Sequence, residues 1–332
     1  MQTNIAATRS TYRRSVASWV MTSVAALILV SCGTAGRERS DSSAAEAKTD
    51  RPVAPTRTGY ADVNGARFYY QIYGDLASAK TPLLVLHGSF MSSEAMAPLT
   101  TSFAGVRPVI AFDARGHGRT GDVPGAFTYE QMATDAAGVL DALKVPVADV
   151  LGYSMGAVTA LAMAVRHSDK VGKQIIVSGV SQREGWYPEV PEAMARITPE
   201  VFAGSPLEAE YKRLSPTPDA FPVLVGQIRK QEAEKYDQSD EAIRAIKGKT
   251  MIIVGDADGV QLDHALKLFK LRGGGDPKAA AQGFLPAAPR ARLAILPATS
   301  HIGIMANGPL IAELAIPFLD DTKPVVPPGF LK

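Results

Sequence analysis

Gly152-Tyr153-Ser154-Met155-Gly156 constrains this chain more than any other stretch. It directly follows the apolar run Val147-Ala148-Asp149-Val150-Leu151 and precedes Ala157–Val165, an alanine-rich run of helical character. A strand that turns at once into a helix forces the central residue into a strained backbone conformation, and side chains at the flanking positions would collide across the turn. Glycine has no Cβ and removes the collision. The turn lifts Ser154 above the sheet edge as a candidate nucleophile. It also leaves the backbone N–H of Met155 at a helix start, where it can donate to a developing oxyanion. Gly156, Ala160 and Ala164 share one helical face, so that face can lie close to the strand.

From Tyr60 onward, short apolar runs alternate with segments of helical period, which predicts an α/β fold with a mostly parallel sheet flanked by helices. Tyr60–Val63 and Arg67–Tyr73 flank Asn64-Gly65, a strong hairpin signal, and open the sheet antiparallel. Pro82–Leu86, Val109–Phe112, Val147–Leu151, Gln174–Val177, Thr250–Val254 and Arg292–Leu296 predict the buried parallel strands. Thr128 with Gln131 makes a capping box for a helix over Tyr129–Leu143. Residues 181–248 break the rhythm. They are punctuated by proline, rich in charge, and carry Trp186, Tyr187, Phe202, Tyr211 and Phe221, which reads as an inserted helical cap whose aromatics mostly seal its own small core. Residues 58–180 and 249–322 then form the catalytic core and 323–332 a tail. Residues 272–290, with three consecutive glycines and three prolines, read as a mobile loop.

The first 31 residues hold no acid, and in them a basic stretch with Arg9, Arg13 and Arg14 precedes the apolar run Val16–Val30. That run is shorter than the roughly 20 residues of a membrane-spanning helix, and the pattern is that of a secretion signal. Leu29-Val30-Ser31-Cys32 resembles the bacterial lipobox, which implies cleavage before Cys32 and a diacylglycerol on its sulfur. Cys32 is the only cysteine, so no internal disulfide can form. Residues 32–57, poor in anything to bury, read as a flexible tether. The expectation is a protein exported to the cell envelope and lipid-anchored on a periplasmic or cell-surface face. The whole chain carries a formal charge of +2, three of its positive charges lying in the signal segment, so the body has no nucleic-acid footprint.

A serine hydroxyl attacks only when a base removes its proton. His301, in Pro297-Ala298-Thr299-Ser300-His301-Ile302-Gly303 after the last strand, is best placed. His167 and His264 read as ordinary side chains, and His87 and His117 as neighbours of the site. The imidazole needs a carboxylate to hold its tautomer. Gly255-Asp256-Ala257-Asp258-Gly259 follows a strand end, where ligand sites of open α/β sheets lie, and Asp258 is preferred over its rival Asp256. No metal-ligand spacing or phosphate-binding glycine loop occurs, so neither metal nor cofactor is expected.

The opening hairpin, His87-Gly88-Ser89, Asp113-Ala114-Arg115-Gly116-His117-Gly118, the serine turn, Gly255–Asp258 and His301 together resemble the α/β-hydrolase fold superfamily. The resemblance covers roughly Tyr60 to Asp321 and is nearest the branch of small esterases, lactonases and cofactor-free haloperoxidases. It implies Ser154 as nucleophile, His301 as general base and then acid, and Asp258 as the orienting acid. It also implies an oxyanion hole from the backbone N–H groups of Met155 and Ser89, with Phe90 the alternative second donor. Serine at the turn speaks against the haloalkane dehalogenases and epoxide hydrolases, which carry aspartate there. The single His87-Gly88 pair speaks against the group resembling hormone-sensitive lipase. The implied activity is cleavage of a small-molecule carboxylic ester or lactone through an acyl-enzyme. C–C bond hydrolysis, acyl transfer and perhydrolysis share the same three residues, and a ligand-binding protein without turnover shares the fold.

Overall fold

The computed structural model describes residues 53–326 and Gly329. The signal segment, Cys32 and residues 33–52 of the tether lie outside the described residues, as do residues 327, 328 and 330–332 of the tail.

Eight strands are present among the described residues: β1 (Arg57–Val63), β2 (Ala66–Tyr73), β3 (Leu83–Leu86), β4 (Val109–Phe112), β5 (Ala148–Tyr153), β6 (Val171–Val177), β7 (Thr250–Ala257) and β8 (Ala291–Ser300). They form one sheet in the order β1-β2-β4-β3-β5-β6-β7-β8. Asn64 (φ 53°) and Gly65 (φ 77°) turn β1 into β2 through two left-handed residues, the combination a two-residue hairpin matched to strand twist requires. β2 pairs antiparallel with β1 and β4, and every other neighbouring pair is parallel. β1 starts inside the expected tether, at Arg57, and Thr56 already donates its N–H to Ile72 O at 2.7 Å.

The central strands read as unbroken apolar runs because both faces are covered. Leu84, Leu86, Ile110, Phe112, Val150, Ile176, Ile252 and Val254 pack on one face against α2 (Tyr129–Ala142), α3 (Met155–Arg166) and α8 (Leu262–Leu271). Their alternates Leu83, Val85, Val109, Ala111, Leu151, Ile175, Val177, Met251 and Ile253 pack on the other against α1 (Ala97–Ala104) and α10 (Gly308–Leu319). The helix expected from Thr128 is α2. Thr128 Oγ1 accepts the Gln131 N–H at 3.2 Å, but the Gln131 side chain donates to Asp135 Oδ1 at 3.0 Å instead of reaching back. Asp135 is buried and paired with Arg115 Nε at 2.7 Å, and it outcompetes the capping contact.

Between β6 and β7 the chain leaves the sheet and builds α4 (Glu189–Met194), α5 (Pro206–Leu214), α6 (Phe221–Ala233) and α7 (Asp240–Ala245). Ile197, Phe202, Tyr211, Phe221, Leu224, Val225 and Ile228 close a small core with Phe90, which reaches up from the loop after β3. Ion pairs at the rim tie this layer down: Glu94 accepts from Arg213 at 2.6 Å and from Arg119 at 2.7 Å. α7 instead joins the sheet's own layer through Ile243.

Residues 272–290 differ from the loop expected. Asp276 caps a six-residue helix, α9 (Pro277–Gln282), by accepting the Lys278 and Ala279 N–H groups, and Gly283 ends it at φ 76°. Just before it, the buried guanidinium of Arg272 donates to Ile243 O, Ile246 O, Gly248 O and Thr250 Oγ1. Glycine and proline marked the turns of this stretch, and the helix between them rests on its own local caps.

Candidate active site

Ser154 stands at φ 54°, ψ −119° between β5 and α3, a conformation that costs on the order of 1–3 kcal/mol outside glycine. The surroundings enforce it. A Cβ on Gly152 would lie 2.1 Å from Gly156 O, and one on Gly156 would lie 2.2 Å from Leu86 O. The close approach of α3 to the end of β3 brings the loop His87-Gly88-Ser89 alongside the turn.

His301 leaves the end of β8. Its Nε2 is 3.0 Å from Ser154 Oγ and its Nδ1 is 2.8 Å from Asp258 Oδ1. Asp258 also accepts the Val260 N–H at 3.1 Å and, on Oδ2, the Ser178 hydroxyl at 2.5 Å. Burial pushes the Asp258 carboxyl up, but its bonds from His301, Ser178 and Val260 outweigh burial and hold it below the ordinary carboxylate value. Asp256, the rival, lies away from the ring. It accepts the Thr299 N–H at 3.1 Å and so braces the loop that carries His301.

Two further contacts fix the imidazole. Tyr153 donates its hydroxyl to His301 O at 2.8 Å and stacks on the ring at 5.3 Å, while Trp186 from the cap segment meets the ring edge-on at 5.5 Å. Ser178 and Tyr153 share one recognisable signal, a polar residue at the carboxyl end of a central strand. Trp186 has none.

The segment Asp113–Gly118 clamps the loop after β3. Asp113 Oδ1 accepts the Ser93 N–H at 2.7 Å, His87 Nε2 accepts the Ala114 N–H at 3.0 Å, and His117 Nε2 accepts the Phe90 N–H at 3.1 Å. Phe90 is held left-handed at φ 63°. Its N–H is therefore engaged, which removes it as an oxyanion donor. The N–H groups of Ser89 and Met155 donate to no other atom among the described residues.

His117 and His264 act as neutral acceptors, His264 Nε2 taking the Ser181 N–H at 3.1 Å. Burial drives the pKa of His117 down to about 3 and that of His264 to about 4. Unfolded, both would bind a proton from about pH 6.5 downward. The unfolded state thus takes up more protons as pH falls below that value. Stability should then drop by up to about 1.4 kcal/mol per pH unit for each histidine, until the folded pKa is reached. Urea midpoints measured between pH 7 and pH 5 should decline steadily; a flat profile would show that these rings are not neutral acceptors.

Comparison with known proteins agrees with this architecture. Residues 83–313 match the alpha/beta hydrolase family. A putative carbamate hydrolase RutD from Caulobacter segnis is 32% identical over 115 residues, 34% of this chain and 43% of that protein. A 2-hydroxy-6-oxo-2,4-heptadienoate hydrolase from Pseudomonas putida is 28% identical over 215 residues, 58% of this chain and 78% of that protein. The chain thus spans less than half the length of the first of these relatives. The enol-lactonase of Burkholderia xenovorans has the same fold, with a TM-score of 0.59 at 22% identity, covering 79% of this chain and 100% of that one. With the sheet order, the serine turn and the matched span together, the chain belongs to the alpha/beta hydrolase family.

Proposed function

We propose that this protein is a serine hydrolase that cleaves carboxylic esters or lactones through an acyl-enzyme. The observation that carries the reading is the unbroken line from Ser154 Oγ to His301 Nε2 at 3.0 Å and from His301 Nδ1 to Asp258 at 2.8 Å. Ser154 attacks the carbonyl carbon and passes its proton to His301 Nε2, while Asp258 stabilises the imidazolium and holds its tautomer. The carbonyl oxygen gains negative charge and takes hydrogen bonds from the free N–H groups of Ser89 and Met155. His301 returns the proton to the leaving alcohol. Water, deprotonated by the same ring, then releases the acid. The test is a fluorophosphonate probe together with a panel of esters and lactones of graded chain length. The probe should attach to Ser154, located by peptide mass spectrometry, and at least one substrate class should turn over. An unlabelled Ser154 with no turnover would end the assignment.

C–C bond hydrolysis is the second reading, favoured by the likeness to the Pseudomonas putida hydrolase over 78% of its length. It would replace the first if the probe labels Ser154 and no ester or lactone is cleaved.

We further propose export and attachment to a membrane by lipid on Cys32, supported by the basic start, the apolar run and Leu29-Val30-Ser31-Cys32. Cys32→Ser should move the protein from the membrane to the soluble fraction; unchanged partitioning would exclude this anchor.

A further inference from the structure

Glu232, at the end of α6, is a buried acid that the chemistry above does not use. The residue is 8% exposed, and its carboxyl receives one protein donor, the Tyr129 hydroxyl, at 2.8 Å to Oε1. Arg183, the nearby cation, gives its Nε to the Glu232 backbone oxygen at 2.9 Å and not to the carboxyl. Oε2 has no protein partner among the described residues, nor is it one of the sealed polar atoms, so it keeps access to a small molecule. An oxygen in this state is open to water or to a hydroxyl of a bound molecule.

Its position explains what that would be. A continuous wall joins it to the imidazole: Trp186 meets His301 edge-on at 5.5 Å, Trp186 Nε1 donates to the Tyr236 hydroxyl at 2.6 Å, and the Tyr236 ring packs on Tyr129 at 4.7 Å. Tyr129 then donates to Glu232. Burial raises the Glu232 pKa, and the Tyr129 hydroxyl, Arg183 and, least, His301 offset it only in part. On the other side of Ser154 the Ser89 and Met155 N–H groups face the place of the acyl carbonyl, and Phe90 beyond them is buried in the cap core against Phe202 at 4.6 Å. The leaving oxygen must sit at His301 Nε2, on the side of the polar wall.

We propose that Glu232 and Tyr129 form a subsite for a free hydroxyl on the leaving group, so that the substrates are esters of hydroxyl-bearing alcohols. A hydroxyl suits this carboxyl in either protonation state, donating to the carboxylate or accepting from the acid. An ammonium would fit only the first and a carboxylate only the second. The inference rests on the serine-hydrolase reading.

Matched hexanoate esters test it: 2-hydroxyethyl against propyl, and 3-hydroxypropyl against butyl, compared by kcat/KM on the intact protein. The wild type should prefer the hydroxyl member of at least one pair by roughly tenfold, and Glu232→Leu should bring that ratio near one. Glu232→Gln, which keeps a hydrogen-bonding group, should retain part of the preference. A wild-type ratio near one in both pairs overturns the proposal, and so does an unchanged ratio in Glu232→Leu. Where the leucine variant does not fold, the wild-type and Glu232→Gln ratios decide. An enzyme that cleaves these esters without preference refutes only the subsite. A protein that cleaves none and resists the fluorophosphonate refutes the serine-hydrolase reading and the subsite together.

Discussion

Ser154→Ala should lower ester turnover by on the order of 10⁴ to 10⁶ and abolish fluorophosphonate labelling, with the thermal midpoint unchanged. The size follows from what the hydroxyl alone supplies. Without Oγ no acyl-enzyme forms, and His301 is left with only water to activate. On the proposed serine-hydrolase reading the loss stays finite, because the Ser89 and Met155 N–H groups would still meet an oxyanion. The fold should survive because alanine keeps the Cβ and meets the same strain at φ 54° that serine already bears. Nor does the change strand a buried partner, since the His301 side chain is 28% exposed and can bond to water. Initial rates on the best ester, with a melting curve as control, measure both halves. A loss below tenfold would show that Ser154 is not the attacking group.

Gly156→Ala should produce the opposite pattern, a failure of structure before chemistry. The added Cβ would sit 2.2 Å from Leu86 O and 2.7 Å from His87 O, both backbone atoms of the central sheet that cannot rotate away. Either α3 moves off the sheet or β3 shifts, and both open the core. Overpacking of this kind costs about 3 kcal/mol or more, a large part of the 5–15 kcal/mol that holds a typical domain together. For a domain of this size the midpoint should fall by roughly 6–12 °C. Activity should fall with it, because the same shift moves Ser154 and the Ser89 loop. A midpoint within about 2 °C of wild type would show that the close approach is not required.

Local patterns carried much of this architecture. Short unbroken apolar runs, Asn64-Gly65 and the glycine-flanked Ser154 each act through neighbours in the chain, so the hairpin, the parallel strands and the serine turn could be read from residue order. Several outcomes depended on partners that only folding brings near. Asp256 and Asp258 are two residues apart in one loop, and nothing in their spacing says which faces His301; the answer comes from Ser178 and Val260, which anchor Asp258. Ser89 and Phe90 are adjacent, and the choice between them as donor falls to His117, which occupies the Phe90 N–H. Arg272 is buried on the carbonyls of Ile243, Ile246 and Gly248, acceptors that its place in the chain does not announce. Glu232 looks like one more charge in a charged stretch, and its burial beside Tyr129 exists only once the cap closes on the core. The sequence by itself determined the sheet and where its strand ends would present reactive groups, because backbone sterics and hydrophobic periodicity are local. Which of those groups meet was decided by the tertiary structure, because hydrogen bonds reach about 3 Å and nothing in the spacing of residues along the chain sets distances that small between remote segments.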